Sequence, residues 1–229
     1  MICVAHRGAS GDYPENTLLA FRRALAVGAA WLELDVHLSA EGDLVVIHDE
    51  SLERTTNGSG LVGNFSLKEL RSLDAGRGEV IPLLVEVLDL LGEEDTLNIE
   101  LKGKGTGKVT ALLLKELLEQ GQIRTENLLI SSFSASELFS FRMVLPGQRL
   151  AIICDHLPDN LWGLAGVLQL WSCHFERTLI TQEVVAEAHR RGLRILAFTV
   201  NQRAELLRLE QLGVDGIFTD FFSTIQTRE

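Results

Sequence analysis

The chain has 229 residues, 46% hydrophobic and 23% charged, a balance that excludes a disordered or low-complexity polypeptide and suits one folded domain with a substantial core. Its 32 acidic residues against 21 basic ones leave a net charge of -11. That field disfavours nonspecific nucleic-acid binding and adhesion to anionic membranes, so an anionic substrate would need a local cation.

Cys3, Cys154 and Cys173 are odd in number, far apart and set in apolar runs. No C-x2-C pair exists, so a disulfide framework or zinc site is not expected and the three read as buried thiols. The N-terminus runs straight into MICVAHRG without a basic region followed by an apolar one. No apolar run reaches the length of a membrane span, so the expected compartment is the cytoplasm, with no stable membrane insertion.

In chain order, Ile2 to Ala5 is a short apolar run that delivers His6 and Arg7 to its carboxyl end. Asn16 or Thr17 can cap the apolar-periodic helix LLAFRRALAV, which Gly28 terminates. Next comes WLELDVHLS, in which Leu32, Leu34 and Val36 alternate onto one face and Glu33 and Asp35 share the other. Glu41-Gly42 reads as a turn, and Leu44 to Ile47 as an extended run ending at His48-Asp49. Residues 51–79 are glycine-rich and irregular apart from a short helical stretch at Ser66 to Leu70, the pattern of a lid or substrate wall. Pro82 to Leu91 predicts a helix closed by Gly92.

The remainder repeats a strand and helix rhythm at roughly the 25 to 30 residues of a βα unit. Strands are predicted at Leu97 to Lys102, Asn127 to Ser132, Arg149 to Cys154, Leu168 to Cys173, Arg194 to Val200 and Val214 to Thr219, with helices such as Val109 to Glu119 and Val184 to Arg191 between them. With Ile2 to His6 and Trp31 to His37 these make eight strands, which points to an α/β chain closed into a parallel barrel. An open doubly wound sheet would need a glycine-rich phosphate loop, and His-Arg-Gly-Ala-Ser-Gly matches that poorly.

In Leu97-Asn98-Ile99-Glu100-Leu101-Lys102, polar residues again alternate with apolar ones, so Glu100 falls in phase with Glu33 and Asp35. Buried carboxylates cost several kcal/mol each unless something positive offsets them. Three that converge suit a hard divalent cation, Mg²⁺ or Ca²⁺, held by oxygen. On the barrel reading His6, Arg7, His48 and Lys102 lie at the same mouth. The two histidines suit general acid and base, while Arg7 and Lys102 suit phosphate oxygens. Lys102 could instead be only a structural partner of Glu100. His37 reads as structural support; His156, His174 and His189 read as surface or helix residues, although His174 lies near a strand end from which it could approach the pocket. Phe133, Phe175 and Phe198 read first as barrel packing, with an apolar wall of the substrate pocket as the lesser reading.

Along nearly its whole length the chain resembles the glycerophosphodiester phosphodiesterase family. The resemblance rests on His6-Arg7-Gly8, Pro14-Glu15-Asn16-Thr17, Glu33-Leu34-Asp35-Val36, Val46-Ile47-His48-Asp49, Leu52-Glu53-Arg54-Thr55-Thr56, Asn98-Ile99-Glu100-Leu101-Lys102, Thr199-Val200-Asn201 and the run Gly213 to Asp220. It implies a TIM (β/α)8 barrel in one domain, residues 1–229, with a small insertion after the second strand, approximately 49–80. It also implies catalytic His6 and His48, substrate contacts from Arg7 and Lys102, and one divalent cation, Mg²⁺ or Ca²⁺, on Glu33, Asp35 and Glu100. The implied reaction is hydrolysis of a small glycerophosphodiester to sn-glycerol 3-phosphate and an alcohol. The choice of base, direct attack against a cyclic phosphate, and a homodimer as assembly state stay open. The sequence departs from the family at Leu83-Leu84-Val85-Glu86 after Pro82 and at Phe198, where tryptophan is common, so both bear on substrate preference. Two alternatives keep the fold: a lysophospholipase D acting on larger lipids, and a catalytically silent binding protein.

Overall fold

The computed structural model describes residues 1–226. In chain order the elements are β1 (Ile2–Ala5), α1 (Leu18–Ala26), β2 (Trp31–Leu38), β3 (Leu44–Val46), α2 (Leu67–Leu70), α3 (Leu84–Leu88), β4 (Thr96–Leu101), α4 (Thr106–Glu119), β5 (Leu128–Ser132), α5 (Ala135–Val144), β6 (Leu150–Cys154), α6 (Leu161–Leu168), β7 (Ser172–Glu176), α7 (Gln182–Arg190), β8 (Arg194–Phe198), α8 (Arg203–Gln211), β9 (Gly216–Thr219) and α9 (Phe222–Gln226).

Eight of the strands are parallel and run in the order β1, β2, β4, β5, β6, β7, β8, β9. The pairing of Ala5 with Leu32 on one side of β1 and of Ile2 with Gly216 on the other closes the ring, so the fold is a TIM barrel. The predicted extended run after β2 is β3, which pairs antiparallel with β2 through Val36 and Val46 and stays outside the ring. The core lies between strands and helices, where Leu32, Leu34 and Val36 of β2 meet Leu97 and Ile99 of β4 and Phe21 of α1. A smaller cluster, Val4, Leu196 and Phe218, fills the barrel interior against Trp31 and Trp171.

Thr17 is the cap of α1, its hydroxyl accepting from the Ala20 amide. Gly8, at φ 79°, passes so close to α1 that an added Cβ would lie 2.7 Å from the Ala20 carbonyl carbon. This apposition brings the loop after β1 against the start of α1. The segment after β3 has its own small core, in which Val45, Ile47, Leu52, Val62, Leu70 and Ile81 pack together.

Several predicted boundaries move. The strand expected at Leu168 to Cys173 lies at Ser172–Glu176, because Leu168 ends α6 and Leu170 still packs in the core shared with that helix. The helix expected over Pro82 to Leu91 contracts to Leu84–Leu88, its first turn closed by Glu86, which accepts from the Leu83 amide. Cys154 and Cys173 are buried and Cys3 is half-buried. Among the described residues no helix is long and apolar enough to cross a membrane.

Candidate active site

Parallel register sets the site. Glu33 pairs with Asn98 and Asp35 with Glu100, so two adjacent strands carry a square of polar side chains into the barrel mouth. One oxygen from each of Glu33, Asp35 and Glu100 lies within 4.8 Å of the others, and all three residues are buried. Glu33 Oε1, Asp35 Oδ1 and Asn98 Oδ1 accept no hydrogen bond. Glu100 Oε1 faces Lys102 Nζ at 3.0 Å, an ion-pair contact off the hydrogen-bonding line.

Burial, then the charges of Asp35 and Glu100, push the Glu33 carboxyl well above its ordinary range. Burial and the neighbouring Asp35 push Glu100 up to about 7. For Asp35 burial acts in the same sense, but Arg7, His48, Lys102 and the Asn16 amide together outweigh it and hold the carboxyl low. Acids that repel one another, with oxygens lacking donors, fit a hard divalent cation: oxygen ligands are what such an ion takes, and its charge would relieve the repulsion.

Two histidines flank the acids, each braced by its own carboxylate. His6 Nδ1 lies 2.7 Å from Asp220 Oδ1. Burial resists ionisation of Asp220, yet His6, Asn201 and Ser10 bring its carboxyl down to about 2, so Asp220 is ionised and Nδ1 of His6 donates to it. The brace fixes the ring and turns Nε2 to the cavity. His48 Nδ1 lies 2.5 Å from Asp49 Oδ1, and Lys102 Nζ donates to His48 Nε2 over 2.9 Å. Burial, opposed by Asp35 and Asp49, keeps the His48 imidazole below its usual value. His37 Nε2 sits 3.1 Å from the His48 carbonyl, the structural support expected of it.

Arg7 adopts a left-handed backbone, φ 55°, at a cost of about 1 kcal/mol. That turn lets its amide donate to Glu33 Oε2 over 2.9 Å while its side chain reaches Glu15 at 2.8 Å and Asp35 at 3.3 Å. Asn16, at φ 57°, likewise donates to Asp35 over 2.8 Å.

His6, Arg7, Glu33, His48, Glu100 and Lys102 line one cavity of about 300 Å³, with Asp35 against Arg7 at 3.3 Å and the other side formed by Phe133, Ile153, His174, Phe198 and Phe218. The structure thus brings all seven predicted residues together. Lys102 pairs with Glu100, as its structural alternative anticipated, and contacts His48 as well. Phe175 is fully buried core, Phe198 both packs against the barrel-interior cluster and lines the cavity, and Phe133 is the exposed one, on the cavity wall. His174 also reaches the cavity wall, where burial drives its ring down to about 3 and holds it neutral. His156 and His189 are exposed, as expected.

The model of the glycerophosphoryl diester phosphodiesterase family matches residues 6–224. The chain belongs to this family. It is an enzyme, a phosphoric diester hydrolase by membership. A glycerophosphodiester phosphodiesterase of Bacillus altitudinis is 40% identical over 234 residues, covering 95% of this chain and 93% of that protein. One from Caldanaerobacter subterraneus subsp. tengcongensis is 36% identical over 234 residues, at 96% and 93% coverage. A solved phosphodiesterase of Oleispira antarctica, in complex with the product sn-glycerol-3-phosphate, superposes at a TM-score of 0.92 with 33% identity, covering 99% of this chain and 95% of that one. Several side chains around the family's motifs escaped the sequence reading: Asp220 behind His6, Asp49 behind His48, and Glu15, Asn16 and Arg54 around Arg7. All five lie inside motifs quoted above, so the signal was present; which partner each would meet depended on the fold.

Proposed function

We propose that the chain hydrolyses small glycerophosphodiesters to sn-glycerol 3-phosphate and an alcohol, acting as one catalytic domain whose insertion, residues 49–80, supports the site from outside. The lid or substrate wall expected there is not seen, since the insertion contributes no residue to the cavity lining. The observation that carries this reading is the set of three buried carboxylates within 4.8 Å, flanked in a single cavity by two carboxylate-braced histidines.

In this reading Glu33, Asp35 and Glu100 hold one Mg²⁺ or Ca²⁺. Such an ion, when bound, supplies a Lewis acid for a phosphoryl oxygen. Arg7 and Lys102 draw the phosphate to the acidic mouth and orient it, Arg7 through its fork and Lys102 as a point charge. One histidine accepts the proton of the nucleophile, either water or the adjacent glycerol hydroxyl. The other returns a proton to the alcohol oxygen as its bond to phosphorus breaks. Each well-placed transfer is worth roughly 10²- to 10⁴-fold in rate. Asp220 and Asp49 keep both rings in register throughout. The apolar side of the wall, with Phe133 and Phe198, excludes water from the departing group.

The test is release of sn-glycerol 3-phosphate from glycerophosphocholine with Mg²⁺ or Ca²⁺, with chelator, and in His6→Ala and His48→Ala. The reading predicts loss of turnover in both variants and on chelation. Full activity in either variant would refute the two-histidine assignment. Trapping a cyclic glycerol phosphate would select the glycerol hydroxyl as nucleophile over water.

A further inference from the structure

Glu15 before α1 and Arg54 in the segment beyond β3 have no part in the chemistry above, and Asp49 enters it only as the brace of His48. In the folded chain they meet at one guanidinium. Arg54 Nε and Nη2 donate to Asp49 at 2.6 and 2.9 Å, and Nη1 and Nη2 donate to Glu15 at 2.7 and 2.8 Å. Both edges of the planar fork are thereby filled by two carboxylates, four hydrogen bonds in all. The two carboxylates lead in different directions. Asp49 holds His48 Nδ1, and Glu15 Oε1 also accepts from Arg7 over 2.8 Å.

We propose that Arg54 is a positioning residue that couples the His48 ring to the Arg7 guanidinium, so that proton transfer and phosphate orientation share one frame. The inference rests on His48 and Arg7 acting as proposed above. Arg54 itself lies outside the cavity wall and acts only through Asp49 and Glu15. Its backbone is anchored from below. Leu52, two residues earlier, is fully buried in the small core of the insertion, and its carbonyl accepts from both the Thr56 amide and hydroxyl. Lysine cannot replace Arg54, because an ammonium cannot present two coplanar edges to two carboxylates. A surface pair acting only on stability would contribute little, and its removal would leave turnover intact. A positioning role predicts the opposite balance, loss of turnover with the fold preserved.

The experiment is a double-mutant cycle in the metal-loaded full chain, following glycerol 3-phosphate release, kcat and KM separately, and thermal unfolding. Arg54→Ala and Arg54→Lys are each expected to lower kcat by about 10- to 100-fold, the range for losing a brace behind a catalytic group. Asp49→Asn is expected to fall by a similar factor. The Asp49→Asn/Arg54→Ala double variant should be no slower than the slower single by more than about twofold, since both break one chain of contacts. Methylguanidinium, but not methylammonium, should recover part of the Arg54→Ala rate. Wild-type kcat in Arg54→Lys, or losses that multiply in the double variant, would overturn the proposal. If Arg54→Ala unfolds, Arg54→Lys and Asp49→Asn still decide it. His48→Ala is the control: wild-type turnover there brings down the two-histidine reading and this inference with it, whereas a dead His48→Ala beside a fully active Arg54→Lys brings down this inference alone.

Discussion

His6 and Asp220 stand at opposite ends of the chain and meet at 2.7 Å because β1 and β9 are neighbours in the ring. Asn201 donates to the other oxygen of Asp220, and the Ser10 hydroxyl lies between the His6 carbonyl at 2.6 Å and Asp220 at 3.1 Å, so the carboxylate is held before substrate arrives. Asp220→Asn removes the charge and leaves the shape. The ring of His6 then loses the acceptor that defines its tautomer, and kcat should fall by about 10- to 100-fold with KM and melting temperature little changed. Unchanged kcat in that variant would show that the brace does no catalytic work. The comparison with Glu33, Asp35 and Glu100 shows which residues a sequence can reveal. Those three were legible because strand alternation alone puts them on one face, and adjacent strands put them at one height. Asp220 and Glu15 were not, since their roles are contacts between loops at separate strand ends, and no periodicity reports which loops adjoin; Asp49 braces the residue next to it, in a turn on which strand alternation is silent. The aromatic residues are ambiguous for another reason: Phe133 and Phe198 carry the same hydrophobic signal whether they face a core or a cavity.

Helix α4 and helix α5 approach so closely that a Cβ on Gly107 would lie 2.2 Å from the Glu137 carbonyl oxygen. The carboxylate of Glu137 also accepts from the amides of Gly105 and Gly107, which ties the start of α4 to its neighbour. Gly107→Ala gains helix propensity worth up to about 1 kcal/mol. It meets backbone that cannot yield, and overpacking of that kind costs up to about 3 kcal/mol. The cost is larger, so the melting temperature should fall by several degrees, at about 2 to 4 °C per kcal/mol for a chain of this size. Gly166→Ala in α6 is the contrasting case. An added Cβ there has nothing within 4 Å, so propensity alone acts and the melting temperature should rise. Differential scanning calorimetry on the two variants measures both signs. Elements were legible in the sequence to the degree that their patterns were unambiguous. The patterns of α1 and β2 match their observed limits closely, whereas the apolar run from Leu161 to Cys173 reads equally as helix or strand, and its expected strand starts four residues before β7. The glycine at position 107 carries no sign of its close contact, which exists only once α4 and α5 are packed.

At the scale of the whole molecule, stability should depend on pH and on divalent cations through different buried groups. His174 is 1% exposed, with Ser172 at 3.0 Å and the Phe218 ring at 4.9 Å, and burial holds its pKa at about 3. The unfolded chain binds that proton near pH 6.5 and the folded chain does not until about 3, so between those values the unfolded state carries more protons. His174 therefore leaves stability untouched above pH 6.5 and erodes it as pH falls, by up to about 1.4 kcal/mol per pH unit. Asp220 adds loss of the same sign below its ordinary carboxylate range, down to about 2. Denaturant unfolding at pH 4 to 6.5 should show a shallower acid slope for His174→Gln than for the wild type, and equal slopes would mean that the ring titrates freely. The cation acts on the other buried set. A ligand that binds only the folded state adds about 2.7 kcal/mol at one hundred times its dissociation constant, or roughly 5 to 11 °C of melting temperature at this chain length. Mg²⁺ or Ca²⁺ should therefore raise the melting temperature of the chelated wild type, and the rise should vanish in Asp35→Asn, since Asp35 sits between the other two acids and is held ionised by Arg7 and Lys102. A cation-induced shift that survives Asp35→Asn unchanged would place the ion elsewhere on the molecule and separate the acidic cluster from metal binding.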